Sequence, residues 1–455
     1  MTADEQDPLH PHDRSAEGPY RRLKRLTIDD LFGPSTPQID ILLRLDQRVT
    51  VLHGRNGSGK TITLNLLAAL CRGHFEQLDR YPFSRLELET TDGATLTISK
   101  ALGLIRRRAG VGEESIATTH RYKLSLPGRP PEEGEIPRVP PEDLANIAKK
   151  RGFQRNHRHQ WDHLTGDRER DDVDLIQEIR EIYGEEALPS LIPEDSQLAS
   201  FLRTLAPIKF IRADRLYERN RLGDPELTIE RLGRGLRRVI VAADRQYRAI
   251  SSQLDSSLAK RLFAAHKDLP TLDQLRKRSR HLHERTEHLI EIGLLREQLD
   301  PIDEAALTED QKKTFFIILK DREEKLAPLF PVADKAQRLL ESLNRKLAPK
   351  VVRLDVDSGY QVLSASGAPL KLRDLSSGEQ HELVLFHELL FDVQPGSLIL
   401  IDEPELSLHV TWQVDLLADL IAIARLADLD IMLATHSPYI VGDHTDLMVR
   451  LGEPV

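Results

Sequence analysis

The feature that most restricts the fold is a glycine-rich turn, Gly54-Arg55-Asn56-Gly57-Ser58-Gly59-Lys60-Thr61. An apolar run, Val49, Val51 and Leu52, precedes it, and Ile62, Leu64, Leu66, Leu67 and Leu70 follow at helix-compatible spacing. The turn fits G-x-x-x-x-G-K-[ST] in its required setting, after a strand and opening a helix. Glycines let the backbone wrap closely so that its N–H groups converge, and the helix start adds positive potential; such a turn holds phosphate. Lys60 would set a mobile charge at the β- and γ-phosphates, and the Thr61 hydroxyl would coordinate Mg²⁺. A ligand-free Gly-rich turn is the plain alternative, and the flanking strand and helix argue against it.

Composition excludes several classes. The 455 residues are 40% hydrophobic and 30% charged, enough for a large core and about two or three domains. No apolar run reaches the ~18 to 20 residues of a membrane helix. Residues 1–19 are polar with no apolar period, so a disordered tail and a cytoplasmic location are expected rather than a signal peptide. The single cysteine, Cys71, sits in an apolar run and reads as a small core residue. With 64 Lys+Arg against 73 Asp+Glu the formal charge is -9, so no global basic field gathers nucleic acid, and any such contact is local.

Periodicity organises the rest. Leu86, Leu88, Leu96 and Ile98 alternate around Asp92-Gly93, which predicts a β-hairpin. Pro127, Pro130, Pro131, Pro137, Pro140 and Pro141 mark an irregular loop. Ile240, Ala243, Tyr247, Ile250, Leu254 and Leu258 form one helix stripe, and Leu272, Leu275, Leu282 and Leu289 a second, which predicts an antiparallel helical hairpin. Thr308 with Gln311 resembles a capping box. Ile208, Phe210 and Ile211 read as one buried strand. Val352, Leu354, Val356, Tyr360 and Val362 alternate around Asp357-Ser358-Gly359 and return the chain to sheet.

Two further segments carry chemistry. Leu398-Ile399-Leu400-Ile401 reads as a strand buried on both faces and ends in Asp402-Glu403-Pro404, where open α/β sheets bind ligands. Asp402 would hold the Mg²⁺ shell, and Glu403 would orient or deprotonate the attacking water. Leu375-Ser376-Ser377-Gly378-Glu379-Gln380 opens another helix and offers a second anion site, with a plain helix cap as the competing reading. One chain has no evident second nucleotide for it. Two copies facing head to tail would each cover the γ-phosphate held by the other.

Taken in order, Asn56 to Thr61, Leu375 to Glu379, Asp402-Glu403-Pro404-Glu405 and Thr435-His436-Ser437-Pro438 resemble the ABC-type ATPases. Glu405 to His409 and the Thr-His-Ser-Pro ending resemble the non-transporter group: RecF-like and SMC-like proteins, the ATPase part of OLD nucleases, and AAA-type ATPases of bacterial defence or DNA repair. The resemblance covers roughly residues 20–70 and 370–451. It implies an α/β fold: an ABC-type P-loop head with a mixed-sheet core and an antiparallel β subdomain, plus a large, mainly helical insert. The expected divisions are a disordered tail at 1–19, an N-terminal lobe at 20–104, the insert at 105–349 with one strand near 208–213 in the core, and a C-terminal lobe at 350–455. The resemblance implies catalysis by Lys60, Glu403 and His436, with His436 at the γ-phosphate. Nucleotide contacts fall to Gly54, Arg55, Asn56, Gly57, Ser58, Gly59, Lys60, Thr61 and, across a dimer, Ser376, Ser377, Gly378 and Glu379. ATP and Mg²⁺ are the implied ligand and cofactor, with Thr61 and Asp402 on the metal. The Glu405 to His409 segment is expected at the dimer seam.

Departures narrow this. Ser377 replaces a more frequent glycine, Val410 stands where proline is common, and no glutamine for the metal site is assigned, Gln154 lying too far along. In the insert, Arg151, Arg155, His157, Arg158, His159 and His163 with Phe153 and Trp161 read as a solvated basic face, or as a nucleic-acid surface. The three histidines fit no zinc spacing. Arg212 and Arg215 would line the nucleotide sheet or form ion pairs. The short stretch after His436 leaves no room for a nuclease domain, so a separate effector protein is expected. The resulting expectation is an ATP-hydrolysing homodimer, or larger homo-oligomer, that couples nucleotide state to a partner in anti-phage defence or DNA maintenance. The rivals are a transporter energy subunit and an ATP-bound scaffold with little turnover.

Overall fold

The structure, a computed structural model, describes residues 20–105, 115–156, 160–163, 170–188, 192–212, 215–219, 225–263, 269–295, 308, 311–355, 357–406 and 408–452. The tail over 1–19 and His157, Arg158, His159, Ala213, Asp214, Val356 and Ser407 lie outside the described residues. Two compact units result. The first comprises Met1–Ala213, Gln394–Leu406 and Gln413–Val455; the second comprises Asp214–Val393 and Ser407–Trp412.

In the first unit, β1 (Leu23–Asp29), β2 (Ile39–Leu42) and β3 (Val49–His53) precede α1 (Lys60–Arg72), and β4 (Arg85–Thr90), β5 (Thr95–Ile105), β6 (Ser115–Ser125) and β7 (Glu132–Ile136) follow. All but β3 join one antiparallel sheet in the order β2-β1-β4-β5-β6-β7. The hairpin at Asp92-Gly93 forms between β4 and β5, pairing Leu86 with Ile98 and Leu88 with Leu96. Period-two alternation turns these four, with Leu26 and Ile28, into the core. The proline-marked stretch expected as irregular contains β7, whose Glu-rich sequence suits the edge it occupies. Residues 115–207, placed by sequence within the insert, fall in this unit, where β6 and β7 extend its sheet, as does the strand expected in the core near 208–213.

A satellite of α2 (Pro141–Lys150), β8 (Phe153–Arg155), β9 (Trp161–His163) and α3 (Asp172–Tyr183) packs around Leu144, Phe153, Trp161, Leu175 and Ile179. Next, α4 (Gln197–Thr204) leads into β10 (Ile208–Ile211).

The second unit opens with the ribbon β11 (Tyr217–Arg219) and β12 (Pro225–Leu227), then α5 (Thr228–Phe263), α6 (Leu272–Glu291), α7 (Lys312–Leu326) and α8 (Phe330–Leu347). The α5 stripe is buried at Ile240, Ala243 and Leu254, yet it packs against α7 and α9 (Ser377–Phe391), while α6 packs against α7 and α8. The expected α5–α6 hairpin is therefore corrected: α7, apolar at Phe315, Ile317 and Leu319, is the shared partner. Thr308 supplies half a capping box, its N–H bonding Gln311 Oε1 at 3.2 Å, while α7 begins only at Lys312. A small sheet of β13 (Val351–Asp355), β14 (Gly359–Leu363) and β15 (Pro369–Leu370) precedes α9. Gly359 must be glycine: its φ is +85° and a Cβ would lie 2.1 Å from Gly233 O.

The chain re-enters the first unit through β16 (Leu398–Asp402), then α10 (Val410–Ala427), β17 (Asp430–Thr435), α11 (Pro438–Val441) and β18 (Met448–Arg450). These strands complete a parallel sheet, β10-β16-β17-β3-β18. Ile399, Leu400 and Ile401 are fully buried, which explains their unbroken apolar run. The two strand directions of the head are thus carried by two sheets. The carboxyl ends of β3, β16 and β17 share one edge, which therefore collects the glycine-rich turn, Asp402-Glu403 and Thr435-His436.

Candidate functional site

The glycine-rich turn leaves β3 and enters α1 without a side-chain cap; Gly59 at the cap position has φ +93°. Gly57 and Gly59 both take positive φ, and a Cβ on Gly54 would lie 2.7 Å from Leu451 O. Those positions demand glycine for backbone reasons alone. The consequence is an uncapped helix N-terminus, the preferred seat for an anion. Lys60 is buried, and its ammonium donates to Gly54 O at 2.8 Å and Arg55 O at 3.1 Å. Ser58 Oγ is buried with no partner among the described residues. A phosphate would satisfy such orphaned donors.

Across the strand ends, Thr61 Oγ1 donates to Asp402 Oδ1 at 3.0 Å, joining residues 341 positions apart. Burial holds the Asp402 carboxyl above its ordinary range; the Thr61 hydroxyl and Lys60 oppose that push, and Glu403 and Glu405 add to it. A cation beside it would reverse the balance. One carboxylate and one hydroxyl are hard oxygen donors and suit Mg²⁺, which takes few protein ligands and completes its shell with water and phosphate. No cluster of three or more His, Cys, Asp or Glu able to hold a metal occurs among the described residues, so a dedicated protein cage is absent there. The fit is to a metal that arrives with a phosphate.

Glu403 has φ +45°, although it is neither glycine nor asparagine and precedes a proline. Left-handed backbone here costs roughly 1–3 kcal/mol. Its N–H donates to Ala434 O at 2.9 Å, anchoring the strained residue to β17. Beyond Pro404 the chain turns back, and Glu405 becomes buried. Glu405 Oε1 accepts Thr435 Oγ1 at 2.7 Å and His436 N at 2.9 Å, and lies 3.0 Å from His436 Nδ1. Sequence reasoning placed Glu405 only in a segment near a dimer seam and missed this contact. The available signal was a third carboxylate just beyond Asp402 and Glu403, at the end of a strand whose parallel neighbour ends in Thr435-His436.

The family described as "AAA domain, putative AbiEii toxin, Type IV TA system" matches residues 168–442. The chain belongs to this AAA-domain family. The matched span contains Ser376 to Glu379, Asp402, Glu403 and His436, while the glycine-rich turn precedes it. No curated protein matches the chain. Among solved structures, the Smc head with an extended coiled coil bound to the C-terminal domain of ScpA, from Pyrococcus furiosus, is similar at TM-score 0.34 and 11% identity, covering 95% of this chain and 94% of that one. The SmcHead bound to the C-winged helix domain of ScpA has TM-score 0.34 and 9% identity, covering 95% of this chain and 94% of that one. The SMC head domain from Thermotoga maritima has TM-score 0.31 and 11% identity, with 94% of each chain covered. These superpositions are loose, and membership rests on the family match.

In the second unit of the AAA chain, Ser376 is the N-cap of α9 and forms a complete capping box with Glu379. Burial works against the Glu379 carboxylate, yet Lys350 Nζ, 2.8 Å from both oxygens, together with Ser376 holds it below its ordinary range. Ser376 and Glu379 are thereby occupied in capping, and Ser377, exposed, and Gly378 form the first turn. This turn and the β3–α1 turn belong to different units and are described separately.

The basic and aromatic cluster of the satellite does not expose ring faces for bases. Phe153 and Trp161 are core residues. Arg170 covers the Phe153 ring and Arg155 the Trp161 ring, and Trp161 Nε1 donates to Asp172 at 2.6 Å. His163 stacks edge-on to Phe153, and Gln154 pairs across the ribbon with Asp162. Arg215, in the second unit, is buried; its Nε donates to His381 O at 3.3 Å, and burial lowers its pKa to about 10 despite Glu382 and Glu388 nearby. Cys71 packs against the main core, and burial pushes its thiol up to about 12, which suits a core residue and not a nucleophile. Among the described residues no helix is long and apolar enough to cross a membrane.

Proposed function

We propose that this AAA-domain chain binds ATP with Mg²⁺ and hydrolyses it, and that two or more copies close around the nucleotide to signal its state to a separate partner protein. The observation that carries this reading is the Thr61–Asp402 contact, which sets the hydroxyl of the phosphate turn against the carboxylate of β16. The α1 N-terminus and Lys60 would hold the β- and γ-phosphates, and Thr61 with Asp402 would hold the metal. Bound there, Mg²⁺ would neutralise charge on those phosphate oxygens. Glu403, fixed by its N–H on β17, would orient the attacking water and take its proton, and His436 would stabilise the γ-phosphate. The family description, which names a toxin–antitoxin system, supports a setting in bacterial defence, with DNA maintenance as the related alternative and a cytoplasmic location in either case.

Phosphate release by the purified chain with ATP and Mg²⁺ tests this. Glu403→Gln is expected to keep ATP affinity and lose turnover by about 10²–10⁴-fold, the usual worth of a general base. Wild-type release no faster than that of the variant would replace hydrolysis with an ATP-bound scaffold.

A further inference from the structure

We infer that Glu405 is a positioning residue for the γ-phosphate histidine: it fixes His436 as the Nδ1–H tautomer and turns Nε2 outward as the ring atom that meets the nucleotide. This rests on the proposed ATPase reading and assigns a role to a side chain that reading leaves unused.

The argument is local. Ser437 N–H donates to Thr435 Oγ1 at 3.0 Å, so that hydroxyl uses a lone pair there and directs its own proton to Glu405 Oε1. The same oxygen takes the His436 backbone N–H. Both contacts use Oε1 as the acceptor, so this oxygen faces donors. His436 Nδ1 lies 3.0 Å from that oxygen, and a bare ring lone pair facing a carboxylate at this distance would be repelled. Nδ1 therefore carries a hydrogen. Glu405 is 5% exposed as a side chain, and its Oε2 is buried without a partner among the described residues, so no competing bond draws the carboxylate away. The His436 side chain is 43% exposed, with its second nitrogen on the ring edge opposite Glu405. A carboxylate that orients the far nitrogen of a histidine is a recurrent way to fix its tautomer and ring angle.

The test begins with the nucleotide-free chain. Nitrogen NMR of imidazole-labelled protein, with the His436 signals assigned by their loss in His436→Gln, is expected to show a protonated Nδ1 and an unprotonated Nε2 when the ring is neutral. An Nε2–H ring or an even mixture in the wild type overturns the inference. Glu405→Gln is expected to erase the tautomer bias and lower kcat by about ten-fold with KM for ATP within about two-fold, the scale of lost outer-shell partners. The double variant Glu405→Gln/His436→Gln should be no slower than His436→Gln, since Glu405 acts through the ring. Multiplicative losses would mean that Glu405 only braces the strand ends, and would overturn the inference. If the wild type releases no phosphate, the ATPase reading falls by itself, because the tautomer measurement uses no nucleotide.

Discussion

Glu403 and His120 show how single positions carry opposite kinds of information. At Glu403 the left-handed backbone is a local cost accepted where chemistry is expected, and the carboxylate is legible in sequence because the proposed water activation would demand one beside the proposed metal position. His120 carries no motif. It is buried on β6, 3.5 Å from Asp79, with Lys100 and Arg138 facing the same group, and burial lowers its pKa to about 4 from 6.5. Between those values the unfolded chain binds more protons than the folded one, so stability rises with pH. The contribution, roughly 3 kcal/mol, is complete above the unfolded value and is lost as pH falls toward the folded one. His120→Leu is expected to flatten the dependence of the thermal midpoint on pH across that window. An unchanged slope would remove His120 as its cause. Asp79, held above its ordinary range by burial, acts in the opposite sense, so the variant separates the two groups. Glu405 was missed for a reason of the same kind as His120: its partner lies 31 residues away, and only the parallel pairing of β16 with β17 brings them together.

At the scale of elements, periodicity revealed faces but not partners. The α5 stripe is visible in sequence, yet nothing in its spacing says that α7 and α9 cover it. The β7 strand was obscured by flanking prolines and its own glutamates, which suit an edge and mimic a loop. Helix α9 was expected from the Ser/Gly turn that opens it, and what that turn did not show is that Glu379, Gln380, His381, Glu382, His387 and Glu388 are buried. Glu382 is fully buried and pairs with Lys346, and Arg215 stands near it with Nη1 and Nη2 unbonded among the described residues. Glu382 thus lies beside two buried cations, and the buried Glu388 also acts on Arg215. Glu382→Gln should cost about 3–5 kcal/mol in a denaturant titration, the range for an orphaned buried charge. Lys346→Met should cost less, because Arg215 remains to neutralise Glu382. The reverse order would show that Arg215 does not share the pair.

For the whole molecule, the open question is what Ser377 and Gly378 do, since the capping box already accounts for Ser376 and Glu379. A plain cap and an anion site for a second copy differ in their response to charge. Ser377→Glu places a carboxylate in the first turn of α9, where it favours the helix macrodipole and leaves the cap intact, while it repels a triphosphate brought by a partner. In the Glu403→Gln background, ATP is expected to double the light-scattering mass from 51.7 kDa, and ADP is not. Adding Ser377→Glu should hold the chain at its single-copy mass while calorimetry still records ATP binding to the β3–α1 turn. A dimer that forms regardless of the new charge would leave the α9 turn as a cap alone, and assembly would then have to come from another surface. A variant that binds no ATP would place Ser377 in the chain's own nucleotide site, contrary to the division of labour between copies proposed here.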